Sequence, residues 1–174
     1  YRGYETDIRL TADGKLVLKV YYIRDKYIFT SVVDGVPTTV EYYYDAPVAD
    51  PAEPAKEGYK FTGWTPAVPE TMPAKPVTVE AQWQILQFTI SFVDTGDVAY
   101  ADITKDYGAE VGTIKDPVKE GYTFLGWDGE VPATIPANDV VLTAQWKINQ
   151  YTITFVDTGD VAYEAITKDY NAEI

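Results

Sequence analysis

Residues Glu120–Trp127 read EGYTFLGW, and Glu57–Trp64, 63 positions earlier, read EGYKFTGW. A glycine-bracketed aromatic stretch repeated at a fixed distance is a mark of tandem modules. The same offset of 63 separates Trp83, which closes EAQW, from Trp146, which closes TAQW. It also relates Phe88–Val111 to Tyr151–Ile174, two 24-residue stretches identical at 18 positions. These offsets divide the chain into four parts. Residues 1–26 are the end of a preceding repeat and a linker, and residues 27–87 are a first complete repeat. Residues 88–150 are a second complete repeat, and residues 151–174 begin a further one. The first complete repeat is about two residues shorter, with the difference lying between Asp34 and Glu57.

Within a repeat the apolar residues recur every second position, which predicts strands. Phe88, Ile90 and Phe92 share one face, with Thr89 and Ser91 on the other. Val140, Leu142, Ala144 and Trp146 alternate with Val141, Thr143 and Gln145. Tyr122 and Phe124 share a face, and Gly126 follows in phase. In YIFTSVVDG (Tyr27–Gly35) the inward face is open to either register. The segments IKDPVKEG, PAEPAKEG, PATIPAND and PETMPAKP carry prolines that remove amide donors, so they are connections and not central strands. A short helical turn is allowed before KEG, but no stretch has the length and period of a full helix. A unit of this size is marginal by surface burial alone. Large aromatic side chains offset that weakness. Tyr122, Phe124, Trp127 and Trp146 are therefore expected to supply most of one core, with Gly121 and Gly126 placed where a side chain would collide or the strand must bulge.

Composition narrows the chemistry. There are 27 acidic and 14 basic residues, a net charge of −13. That balance lacks the basic footprint of a nucleic-acid binder and is repelled by an anionic membrane surface. No apolar run approaches the length of a membrane span. The chain has no histidine and no cysteine. Histidine-based acid–base catalysis, thiol nucleophiles, disulfides and thiolate metal sites are excluded. The chain opens on Tyr1 instead of an initiator methionine, so it reads as a piece of a longer protein whose missing ends carry any targeting signal.

The order of these residues resembles the Listeria–Bacteroides repeat, the internalin B-type B-repeat. That family shows a first strand, a turn, a P-x-K-x-G-Y-x-F-x-G-W segment and a closing strand ending in an aromatic residue. Pro117, Lys119, Gly121, Tyr122, Phe124, Gly126 and Trp127 match it in order, as do Pro54, Lys56, Gly58, Tyr59, Phe61, Gly63 and Trp64. The resemblance implies a mainly β protein built of small β-grasp-like modules, strung in tandem on secreted or wall-attached bacterial surface proteins, and it carries over no catalytic residues. The short, equal linkers QILQ and KINQ predict a fixed orientation between successive modules, hence an elongated rod.

Several groups of residues invite a chemical reading. Asp94-Thr95-Gly96-Asp97 is an acidic turn closing the first strand, and its DTG matches an aspartic-protease signature, but a protease dyad needs two lobes that a 63-residue unit lacks. Asp94, Asp97 and Asp102 could offer oxygens to calcium, yet a solvated acidic turn is the favoured reading, because no calcium-loop motif with its terminal glutamate is present. A lysine–asparagine or lysine–aspartate isopeptide crosslink would need an inward lysine, and the closing strands show none. No catalytic, cofactor or metal residue is expected. Two functions then compete: a structural spacer extending a bacterial surface protein, and an adhesive module binding a host protein or glycan. The run Tyr42, Tyr43, Tyr44 and the residues Tyr100 and Tyr107 are the candidate exposed aromatics for adhesion. At the ends, Tyr151, Ile153 and Phe155, and Leu16, Leu18, Val20 and Tyr22, are expected to leave uncovered apolar faces suited to head-to-tail contacts between chains.

Overall fold

The computed structural model describes residues 12–14 and 23–174, together with the backbone of the strands Thr6–Leu10 and Leu16–Val20. All regular structure among the described residues is β. The chain divides into two compact units, residues 1–84 and 85–174.

In the first unit, β1 (Thr6–Leu10) pairs antiparallel with β2 (Leu16–Val20). A four-stranded sheet follows, made of β3 (Lys26–Val33), β4 (Val36–Tyr43), β5 (Tyr59–Thr65) and β6 (Val77–Ile85), in the order β4-β3-β6-β5. In the second unit, β7 (Gln87–Val93), β8 (Ile103–Asp106), β9 (Tyr122–Asp128) and β10 (Val140–Ile148) form a sheet in the matching order β8-β7-β10-β9. A final antiparallel hairpin joins β11 (Gln150–Ile153) to β12 (Ile166–Asp169). In both four-stranded sheets the two central strands run parallel: Phe29 to Val32 lie level with Val77 to Glu80, and Ile90 to Val93 with Val140 to Thr143. The first strand of each repeat pairs antiparallel with its edge neighbour. Parallel neighbours need a long crossover, and here it consists of the edge strand, the proline-bearing segments and the strand before the closing one.

Those segments do more than connect. Met72 exchanges backbone hydrogen bonds with the preceding loop: its amide donates to Ala46 (2.9 Å) and its carbonyl accepts from Asp45 (2.8 Å). Ile135 repeats the arrangement, its amide donating to Ala109 (2.9 Å) and its carbonyl accepting from Gly108 (2.9 Å). Each repeat thus lays an irregular strap over its sheet and drives one apolar side chain inward. Met72 packs with Phe29 and Val79, and Ile135 with Ile90, Val111 and Leu142; these are the buried centres of the two repeats.

The aromatic-core expectation is therefore corrected. Among the described residues, the buried cluster of the second repeat is Ile90, Val111, Ile135 and Leu142, all aliphatic. Trp127 packs against it only partly buried, and Tyr122, Phe124 and Trp146 are likewise only partly buried. In the first repeat one aromatic, Phe29, is buried with Met72 and Val79, and Trp64 is partly buried against them. An indole is too large to be surrounded completely in so small a unit. The open register of β3 resolves with Phe29 and Ser31 buried. Residues 6–10 also supply an antiparallel partner for β2, a strand that the sequence reading did not assign. At the other end Tyr151 and Phe155 are exposed, and Ile153 is half-buried. The expectation for the side chains of Leu16, Leu18, Val20 and Tyr22 lies outside the described residues.

Candidate functional site

The GW segment is best understood from its register. Along β9 and β10, Trp127 stands opposite Ala144 and Gly126 opposite Gln145, but Trp146 stands opposite Phe124, so Leu125 is one residue too many. This is a β-bulge. Strict alternation would place Phe124 and Trp127 on opposite faces. The extra residue puts both on the face of Ala144 and Trp146 and leaves Leu125 in solvent. Gly126 has φ of +127°, and no atom lies within 4 Å of where a Cβ would stand. Backbone conformation, not crowding, demands the glycine. Gly63 repeats this in the first unit, with φ of +133°.

The outcome is an edge-to-face aromatic cluster. Phe124 lies 5.4 Å from Trp127 and 5.5 Å from Trp146 between ring centroids, and Phe61 lies 5.4 Å from Trp64 and 5.8 Å from Trp83. Each cluster carries a lysine from its own repeat. Lys119 Nζ sits 4.8 Å from the centre of the Tyr122 ring and 5.6 Å from that of Trp146, and reaches Asp94 Oδ1 at 3.3 Å. Lys56 sits 4.7 Å from Tyr59 and 5.5 Å from Trp83, and reaches Asp34 Oδ1 at 2.7 Å. Contacts of this kind contribute about 0.5–1 kcal/mol at exposed sites. Their sense here is geometric: the lysine of P-x-K-x-G-Y lies over faces that an adhesive platform would present to a ligand.

The acidic turn is engaged in the same way. The Asp94 carbonyl accepts a hydrogen bond from Trp146 Nε1 at 2.8 Å. Asp97 Oδ2 accepts from the Glu120 amide at 2.7 Å, and the Asp97 amide donates to Val118 O at 2.8 Å. The turn thus fastens the first strand of the repeat to the P-x-K segment. Among the described residues, no group of three or more acidic side chains is arranged to hold a metal ion. The first repeat has a tight hairpin at this position, and Trp83 Nε1 is buried there without a hydrogen-bond partner.

The candidate tyrosines divide. Tyr100 is not a surface platform: its ring lies 5.3 Å from Phe92 and 6.0 Å from Trp127, and its hydroxyl donates to Lys115 O at 2.8 Å. Tyr107 is half-buried. Tyr42 packs edge-on against Phe29, at 6.2 Å. Tyr43 and Tyr44 are about half exposed, at 49% and 48%, at the end of edge strand β4, with Lys26 Nζ 5.2 Å from the Tyr43 ring. Each repeat also has an open cleft of about 360 Å³ above its first strand. One is lined by Phe29, Val40, Tyr42 and Trp64, the other by Phe92, Val98, Tyr100 and Ile114. The sequence reading did not foresee these clefts, because their walls come from loops whose positions it did not assign. Ser31 is the only buried residue among the described polar and charged ones.

Two four-stranded sheets of one strand order, each with a positive-φ glycine before the tryptophan of its GW strand and a lysine-capped aromatic cluster, define a tandem-repeat β protein. The Listeria–Bacteroides repeat domain matches residues 22–79 and 88–145, and the chain belongs to that family. It is 28% identical to a protein of Evansella cellulosilytica described as a Gly-rich membrane protein, over 78% of this chain and 18% of that protein. It is 29% identical to a second protein of that organism described as a membrane protein, over 73% of this chain and 22% of the relative. It is 33% identical to internalin H of Listeria monocytogenes, over 67% of this chain and 24% of internalin H. The chain therefore spans no more than about a quarter of the length of these relatives.

Proposed function

We propose that this segment is a non-catalytic stalk or spacer of a bacterial protein displayed on the cell surface or secreted. The observation that carries the reading is the lysine over each aromatic cluster: the residues that characterise the repeat serve its own cohesion. Relatives described as membrane proteins and as internalin H support the location. The sheet order with its central parallel pair, and an irregular strap where a helix would lie, support a β-grasp-like module. Short, equal linkers in the sequence favour a rod. Small-angle scattering should then give a radius of gyration well above the about 16 Å of one globule of this length.

A second reading, adhesion to a host protein or glycan, is favoured by one feature, the exposed pair Tyr43 and Tyr44. Immobilised chain tested against glycan arrays and host-cell extracts separates the two. A spacer gives no saturable binding, and a saturable interaction abolished by Tyr43→Ser with Tyr44→Ser establishes the adhesive reading instead.

A further inference from the structure

Gly121 is buried, although it lies in the turn that leads into an edge strand. What covers it is the ring of Tyr170, from the segment that starts the following repeat, and a Cβ at Gly121 would run into that ring. The linker residue Asn149 is bonded on both sides. Its amide donates to Gly121 O at 2.8 Å, and its carbonyl accepts from the Tyr170 amide at 2.8 Å. Its side-chain oxygen accepts from Thr123 Oγ1 at 2.5 Å. The hairpin that carries Tyr170 is itself fastened, by Gln150 Nε2 to Asp169 Oδ1 at 2.9 Å and by the Thr152–Thr167 hydroxyl pair at 2.9 Å. The Tyr151 ring flanks Tyr170 at 6.2 Å.

We infer that Gly121 is the seat of an inter-repeat latch, which takes the tyrosine ring of the following repeat and makes the Asn149 linker a fixed joint. A freely hinged linker would leave these backbone groups to water and let the next hairpin swing. Here both backbone groups of Asn149 are committed, one to each side of the joint. The Glu120 side chain adds a hydrogen bond that raises the Tyr170 pKa above its ordinary value, with burial raising it further. A glycine suits the seat because only a residue without a side chain lets an aromatic ring rest on its α-carbon. The latch rests on the repeat reading alone, and it holds whether the segment is a spacer or an adhesin.

Nuclear magnetic resonance on the whole chain tests it. In the wild type the Gly121 α-protons should be shifted upfield by the Tyr170 ring, and the amides of β11 and β12 should have order parameters near the rigid value of about 0.85. Tyr170→Ala should remove the upfield shift and lower those order parameters toward about 0.6, leaving the amides of β7 and β10 unchanged. Gly121→Ala should release the hairpin in the same way. Tyr170→Phe keeps the ring and should keep the Gly121 shift. The latch is refuted by any of three results: wild-type β11 and β12 amides already below about 0.6, a Gly121 shift that survives Tyr170→Ala, or a shift lost equally in Tyr170→Phe.

Discussion

Replacing Ile135 by alanine probes the strap that closes the second repeat. Ile135 is 1% exposed and packs with Ile90, Val111 and Leu142. The substitution removes three carbons from a dry site, worth about 0.8 kcal/mol each, or roughly 2.4 kcal/mol of transfer free energy. The cavity left behind adds to this, and the observed range for such truncations is about 2–5 kcal/mol. A value of about 3–4 kcal/mol is expected, because the strap is irregular and can settle only partly into the gap. A unit of this size has a total stability of roughly 3–9 kcal/mol. The variant should therefore lose a third or more of it, and the melting temperature of the second repeat should fall by at least about 12 °C. Calorimetry and urea titration read by tryptophan fluorescence are the assays. Val141→Ala is the control, on the solvent face of β10 at 60% exposure, and should cost less than about 0.5 kcal/mol. If Ile135→Ala costs no more than Val141→Ala, the strap does not close the core and the packing argument fails.

Gly126→Ala places a side chain at φ of +127°, a conformation costing about 1–3 kcal/mol, so the second repeat should melt lower although the added methyl has open space. Lys119→Met keeps the stem over Tyr122 and Trp146 but removes the charge; the loss should be about 1 kcal/mol or less and should shrink with added salt, as measured by urea titration at two ionic strengths. The Tyr170 hydroxyl, faced by Glu120 and Tyr151, has a folded pKa above its unfolded value. Docking of the hairpin should be undiminished below about pH 10 and weaken as pH rises through the folded pKa, because the phenolate then faces the Glu120 carboxylate, a repulsion that Tyr170→Phe does not create; the Gly121 proton shift should fall while β7 and β10 stay intact.

The repetition itself, the strands β7, β9 and β10 and the inward faces of β7 and β10 were legible in the sequence because each has a simple signal: self-similarity at a fixed offset, or apolar residues in alternation. The strap was not. Met72 and Ile135 are single apolar residues between prolines, and a lone residue has no period to read. Their burial is set by backbone hydrogen bonds to a loop some 26 residues earlier in each repeat, a pairing no local pattern encodes. The first hairpin could have been found: Asp34-Gly35 between valines is a strong two-residue turn signal, and both residues have positive φ, 48° and 81°. Tyr100 misled because it lies in an irregular segment, between Ala99 and Ala101, with no period to assign its side; its ring folds back onto Phe92 and Trp127.

The bulge joins these observations. If Leu125 took an ordinary place in the ladder instead of bulging out, β9 would point Phe124 and Trp127 to opposite faces, and one of them would be lost to solvent. With the bulge, one short strand delivers two rings to the same face: Trp127 meets the aliphatic centre under the strap, and Phe124 meets Trp146 at the lysine cap. A module too small to enclose an indole fully gains a second, half-open layer of contacts in this way. The arrangement also explains why the lysine belongs to the pattern. A half-open layer exposes ring faces, and exposed ring faces on a repeated module invite chain-to-chain association. Lys56 and Lys119 put a hydrated charge over those faces in each repeat. The cap therefore shields the surface that makes the small core sufficient, which is what a spacer needs and what an aromatic adhesion platform would have to give up.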